Sequence, residues 1–166
     1  MISGGFGLAW AQWGASGLAG LAGFTVRIAG IVLGSAIIVG AIRRLRASPG
    51  LPRVGRGSMF ASRAYRIIVG VEIVALFGGG AILRATGHSA YVAAWYAAVV
   101  GAHFLVFGRA FAPFFGALGL VLVAGGAAGA AVGLAGGGQD DITAIAALVA
   151  SASLLTAGFW GLARTD

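Results

Sequence analysis

The sequence predicts an all-α integral membrane bundle of about five transmembrane helices, formed as a single domain from residues 1–166. The first reason is composition: 60% of the 166 residues are hydrophobic and 9% are charged. A soluble domain carries about 25% charged residues, so this chain lacks the polar groups for a fully solvated surface. The second is that apolar stretches of roughly 20 residues or more, long enough to span a bilayer, are separated by short polar connections. The third is a dense group of arginines between two of these stretches.

The N-terminal segment, residues 1–16, is apolar and glycine-rich and contains Trp10, Gln12 and Trp13. Tryptophan is enriched where a membrane meets water, so we expect this segment to lie at the level of the lipid headgroups. It is too short to span a bilayer. The first predicted membrane helix follows it and covers residues 17–42.

An arginine-rich loop is predicted over residues 43–58, after the first membrane helix. Positive charge next to membrane helices marks the cytoplasmic side, so we expect this loop in the cytoplasm. Seven arginines lie in or near the loop: Arg43, Arg44, Arg46, Arg53, Arg56, Arg63 and Arg66. The first five of them are also expected to contact anionic lipid headgroups, because each arginine near a charged leaflet contributes about 1 kcal/mol to binding.

Four further helices are predicted over residues 60–84, 91–110, 113–136 and 142–163. Alternation across the membrane then places the N-terminus outside and the C-terminus inside, and we expect a multi-pass protein of a bacterial inner membrane. A four-helix arrangement would leave residues 142–163 on the surface, although they contain no charge. A six-helix arrangement would require residues 1–16 to span.

Two ionisable groups lie inside the apolar stretches. Glu72 comes six residues after Arg66, and His103 comes six residues before Arg109. If the second and third predicted helices are antiparallel, both groups lie at one depth, roughly 9 Å inside the same interface. Acidic and basic groups within membrane helices usually face the bundle interior or water and mark functional sites. We therefore predict that Glu72 and His103 face one another, either as a proton- or substrate-binding site or as a contact that only fixes helix register.

Three other residues are candidates for the same site. Tyr65 lies one helical repeat from Glu72 toward the cytoplasm, and Tyr96 shares the helix face of His103. Arg27 lies in the first predicted helix, roughly 15 Å above the level of Glu72. It is expected either to extend its charged group to the outer interface or to line the mouth of an outer cavity.

Glycines at intervals of four residues mark two predicted helix-packing surfaces. The longer series is Gly125, Gly129, Gly133 and Gly137 in the fourth predicted helix, and the shorter is Gly30 and Gly34 in the first. Such spacing allows a second helix to approach the backbone closely. The partner is either another helix of the same chain or a second copy in a homo-oligomer.

Three classes of function remain open on the sequence. The first, which we favour, is a transporter or channel in which Glu72 and His103 handle a proton or cation. The second is a non-catalytic subunit or scaffold of a membrane assembly. The third is a membrane-embedded enzyme that acts on a lipid or isoprenoid with Glu72 as general acid.

Few partners are predicted. We expect membrane lipids and either a homo-oligomer or a larger membrane complex. No cofactor or metal site is predicted, because Glu72 and His103 supply two ligands, and Asp140 and Asp141 lie at the opposite surface. The net charge of +7 is concentrated beside the apolar stretches and carries no nucleic-acid-binding motif, so nucleic acid is not expected as a partner.

Overall fold

The computed structural model describes residues 2–47 and 62–164, and these residues form six α-helices. Five of the helices, α2 to α6, are long and apolar enough to cross a membrane, in agreement with the predicted number. A one-turn 3₁₀ helix, Ser89–Tyr91, precedes α4. The six helices are α1 (Ile2–Ser16), α2 (Gly20–Ala47), α3 (Arg63–Ala85), α4 (Val92–Ala110), α5 (Pro113–Leu134) and α6 (Gln139–Ala163).

Local sequence signals account for the starts of three helices. The Ser62 side chain accepts a hydrogen bond of 3.1 Å from the backbone N–H of Tyr65, which caps α3. Pro113 opens α5, where its missing N–H costs nothing. At the start of α6 the backbone N–H of Gly138 donates to the Asp141 carboxylate at 3.0 Å. The negative charge of Asp141 also interacts favourably with the helix dipole.

The C-terminal end of α2 differs from the prediction, because the helix continues to Ala47 instead of ending at residue 42. Arg43, Arg44 and Arg46 are therefore helical and do not belong to a loop. Arginine is a good helix former, and positive charge in the last turn is favourable beside the helix C-terminus. The remainder of the predicted loop, with Arg53 and Arg56, lies outside the described residues.

The core of the bundle is formed by α1, α4, α5 and α6. Its most extensive contacts join α4 to α5 and α1 to α6. Small side chains dominate this core, which lets the helix axes approach closely. In contrast, α2 packs only on α1 and α6, and α3 packs only on α4 and the 3₁₀ turn; within the described ranges α2 and α3 do not touch. The most deeply buried side chains include Ala97, Leu122, Ala146, Ala147 and Ala150.

The N-terminal segment forms a helix within the bundle, so its predicted position along the membrane surface is wrong. Ser3 lies beside Gly158, and Gly14 lies beside Leu148. Helix α1 is therefore antiparallel to α6 and packs along it. The Ser151 hydroxyl of α6 donates a buried hydrogen bond of 2.8 Å to a backbone carbonyl of α1, that of Gly7.

A row of small residues explains how this 15-residue helix packs so closely. Gly4, Gly7, Ala11 and Gly14 are all buried and recur at intervals of three and four. They form a flat face on which α6 and α2 can rest. The tryptophans that suggested an interfacial position instead extend this packing, and Trp10 is itself part of the buried core.

The described arginines divide between the two ends of the bundle as predicted, with one end carrying most of the positive charge. We call this end the arginine end and the opposite one, with Asp140 and Asp141, the aspartate end. Helix α1 begins and α6 ends toward the arginine end, which differs from the predicted placement of the two termini on opposite sides. The described arginines near the arginine end are Arg43, Arg44, Arg46, Arg63, Arg66, Arg109 and Arg164, while Arg84 lies near the other.

Candidate functional site

Glu72 and His103 lie against one another where α3 packs on α4. The Glu72 Oε1 atom is 2.8 Å from the His103 Nδ1 atom. Only 14% of the glutamate side chain and 11% of the histidine side chain are exposed. The distance is that of an ion pair, but the direction of approach does not satisfy the angle of a hydrogen bond, and His103 Nδ1 has no other partner.

Aromatic rings cover the pair on the side of the arginine end. The His103 ring lies 4.3 Å from the Phe104 ring and 4.9 Å from the Phe107 ring, measured between centroids. Tyr65 of α3 stacks on the Phe107 ring, with 5.5 Å between the centroids. These rings separate the two ionisable groups from the charged groups at the arginine end and lower the local dielectric constant, which strengthens the interaction between them.

The position of α3 depends on a few specific contacts with α4. The Trp95 indole N–H donates to the Ala75 carbonyl at 3.0 Å, one turn from Glu72. Gly79 leaves room for the Trp95 ring, and a Cβ atom on Gly80 would lie 2.7 Å from the Tyr96 hydroxyl oxygen. The sequence analysis did not identify Trp95, Gly79 or Gly80 as partners. The run of three glycines, residues 78–80, is the signal that could have indicated a close helix approach at this position.

Two of the predicted site residues do not join the pair. Tyr96 lies two turns from His103, and its ring contacts Trp13 of α1 at 5.6 Å. Arg27 is exposed on α2, which does not contact α3 among the described residues. Its backbone carbonyl accepts a hydrogen bond of 3.1 Å from the Gln12 side chain. Helical periodicity places residues on a face but does not say which helix covers that face, so the sequence could not assign a partner helix to either residue.

The chemistry open to the pair is the binding of a proton or a cation. A carboxylate beside an imidazolium and a carboxylic acid beside a neutral imidazole have the same net charge, so one proton can be shared between them. Gain or loss of a proton changes the net charge of a site with little access to water. Two protein ligands do not make a metal site, and within the described ranges no third acidic or histidine side chain joins them.

Two grooves on the described part of the protein lie away from the pair. One, of about 590 Å³, runs between α5 and α6, and the other, of about 570 Å³, lies on the outer side of α3. Neither is lined by Glu72 or His103. The first has the lateral opening that a lipid-modifying enzyme needs, but it contains no carboxylate. A general acid at Glu72 would therefore not reach a substrate in that groove.

The glycine series of α5 is covered by α6 of the same chain. Gly125 and Gly129 are buried, and a Cβ atom on Gly129 would lie 3.0 Å from the Ile142 carbonyl oxygen. Gly133 lies against Ile142 and Tyr91, whereas Gly137 is beyond the helix and contacts only the preceding turn. This surface is therefore not free to bind a second copy.

A second face of α5 is packed as closely, against α4, and it was not predicted from the sequence. Gly119 and Gly126 face α4 there, and a Cβ atom on Gly126 would lie 2.6 Å from the Ala94 carbonyl oxygen. The two glycines of α2, Gly30 and Gly34, lie against α1.

No protein-family model matches the chain, and the chain matches no curated protein and no solved structure.

Proposed function

We propose that this chain is a multi-pass membrane protein that moves protons or a small cation, with the Glu72–His103 pair as its ion-handling site. The observation that carries the proposal is the 2.8 Å contact between the two side chains. On insertion scales a carboxylate at the centre of a membrane helix costs about 2.5–3.5 kcal/mol, so such groups usually have a role beyond packing. Here the acid lies next to an imidazole, a side chain that can both accept and donate a proton.

Helix α3 has few contacts with the rest of the bundle, which supports a site whose helix can move. Within the described part of the chain this helix packs only on α4 and the 3₁₀ turn, and Gly80 is its only buried residue. A change in the charge of the pair alters one of the few polar contacts that hold α3 in place. Protonation can therefore be coupled to a movement of α3 relative to α4. The other charged groups on these two helices, Arg63, Arg66, Arg84 and Arg109, lie at the helix ends.

The experiment is a proton-flux measurement in liposomes that contain a pH-sensitive dye, with an imposed potassium diffusion potential. We expect the unaltered protein to carry protons and Glu72→Gln to reduce the flux to that of protein-free liposomes, because the amide keeps the shape of the acid but cannot release a proton. Asp140→Asn is the matched control, since this exposed carboxylate lies at the helix terminus, and it should leave the flux unchanged. A normal flux through Glu72→Gln, or no flux through the unaltered protein, contradicts the proposal.

The second candidate is a non-catalytic subunit of a membrane assembly. The observation in its favour is that neither groove reaches the pair. In that case Glu72 and His103 serve only to fix the register of α3 on α4. If both are then replaced by leucine, complex formation should be unchanged, and so should the growth of cells that depend on the protein. An ion-handling site would lose its function after the same replacement.

A further inference from the structure

The groove between α5 and α6 is separate from the Glu72–His103 pair and needs its own explanation. It has a volume of about 590 Å³ and opens to the outside of the bundle. Both small and larger apolar side chains line it. Its lining includes Phe114, Ala117, Val121, Val149, Ala152 and Trp160.

Two guanidinium groups lie near the end of this groove that is closest to the arginine end. The Trp160 ring is stacked on Phe114, with 4.7 Å between the centroids. The Arg164 guanidinium carbon lies 3.8 Å from the centroid of the Trp160 ring. The Arg44 side chain donates to the backbone carbonyl of Arg164 at 3.3 Å, which brings a second cation to the same place. This end of the groove therefore combines an aromatic wall with concentrated positive charge.

The length of the groove fits one leaflet of a bilayer. Trp160 and Val149 are 11 residues apart on α6, which corresponds to about 16 Å along the helix axis. This is close to half of the roughly 30 Å hydrocarbon thickness. The groove thus runs from the level of the headgroups at the arginine end to about the middle of the membrane.

The groove contains few polar groups that a bound molecule would need to hydrogen-bond. The Ser153 hydroxyl donates to the Ala150 carbonyl of its own helix at 2.9 Å. The remaining lining is almost entirely apolar, which suits a hydrocarbon chain and not a polar solute.

We infer that this groove binds one anionic phospholipid from the leaflet at the arginine end, with an acyl chain along the groove and the phosphate beside Arg164 and Arg44. Guanidinium groups form charge-assisted hydrogen bonds with phosphate oxygens. They favour a headgroup of net negative charge over a zwitterionic one, because the zwitterionic headgroup also carries a cationic group that they repel. The inference does not depend on the ion-handling role of Glu72 and His103. It differs from a general attraction of lipids to the arginine cluster, because it names one groove and the two guanidinium groups at its end, those of Arg164 and Arg44.

Native mass spectrometry tests the inference with phosphatidylglycerol and phosphatidylcholine of identical acyl chains, added to the purified full chain in detergent. The unaltered protein should retain one phosphatidylglycerol in preference to phosphatidylcholine. Arg164→Gln should weaken phosphatidylglycerol binding about fivefold, as expected for one arginine near an anionic headgroup. The matched control is Arg63→Gln, an exposed arginine at the same end of the bundle but on α3, away from the groove, and it should leave the preference intact.

Two further variants test whether the acyl chain occupies the groove. Ala117→Phe and Ala152→Phe fill it from opposite walls, and both positions are exposed, so the packing of the core is preserved. Each should reduce the retention of both lipids. If one variant fails to fold, lipid binding by the other variant tests whether the groove is occupied. The inference is overturned if the two lipids bind equally, if Arg63→Gln has the same effect as Arg164→Gln, or if a folded groove-filling variant binds lipid normally.

Discussion

The carboxylate of Glu72 lies 2.8 Å from the imidazole of His103, and each residue is six positions from an arginine at the same end of its helix. This contact joins α3, which is mostly exposed, to α4, which belongs to the core. It therefore influences both the register of the α3–α4 contact and the charge in a region with little water. The effect on helix register is tested by measuring stability, and the effect on charge by measuring the response of the carboxyl group to pH.

The first prediction concerns the coupling between the two side chains. Glu72→Leu and His103→Leu should each destabilise the protein, because each leaves its partner desolvated and unpaired. The double variant should recover much of the loss, with a coupling energy of about 0.5–3 kcal/mol. Unfolding free energies of the four proteins, measured by steric trapping in bicelles, give this value. Additive effects of the two substitutions would mean that the side chains do not interact.

The second prediction concerns the hydrogen bond that joins α6 to α1. Ser151 is buried and donates to the Gly7 carbonyl at 2.8 Å. Ser151→Ala should therefore destabilise the protein by about 0.6–1.7 kcal/mol, the range of hydrogen bonds between membrane helices. Ser153→Ala is the control, since that hydroxyl donates within its own helix. Equal changes in the melting temperature of the two variants would argue against the position of α1.

The third prediction concerns the two glycine faces of α5. Gly126→Leu and Gly129→Leu introduce side chains against α4 and α6, where even a Cβ atom comes close to the backbone. Each should cost about 1–3 kcal/mol or more, because overpacking displaces a helix. Gly161→Leu, on α6 with open space around it, should be tolerated. The measurement is thermal stability in detergent, and a tolerated Gly126→Leu would contradict the close contact of α5 with α4.

The fourth prediction concerns orientation in the membrane. The chain has no cysteine, so single cysteines can be labelled without background. A thiol reagent that cannot cross the membrane, applied from outside, should miss Ala47→Cys at the arginine end and label Gly138→Cys at the aspartate end. This follows from the excess of arginine on the cytoplasmic side of membrane proteins. The opposite labelling pattern would reverse the orientation.

Much of the fold could be predicted from the sequence, because apolar stretches and charged connections report directly on helix length and ends. The five long helices and the collection of arginines at one end both follow from these patterns. The role of α1 could not be predicted in the same way. Its length is below that of a membrane span, and its two tryptophans are typical of an interface. The signal that mattered was the row of small residues that begins at Gly4, which indicates a helix-packing face and not a surface position.

The candidate site could be predicted only in part. The depths of Glu72 and His103 follow from their equal distances to Arg66 and Arg109, because two antiparallel helices joined by a short connection must align. The neighbours of the pair depend instead on how each helix is rotated and on which helix covers it. Periodicity alone could not show that Tyr96 turns toward Trp13, or that α2 and Arg27 lie on another side of the bundle.

The most direct test of the ion-handling proposal uses the fact that Glu72 is the single glutamate of the chain. With ¹³C-labelled glutamate, solid-state NMR of the protein in bilayers reports the side-chain carboxyl of this residue alone. We predict that its chemical shift changes reversibly with the pH of the surrounding water, and that His103→Gln alters the pH at which the change occurs. A shift that stays constant across the range in which the protein remains folded, and that His103→Gln leaves unaltered, would contradict the proposal.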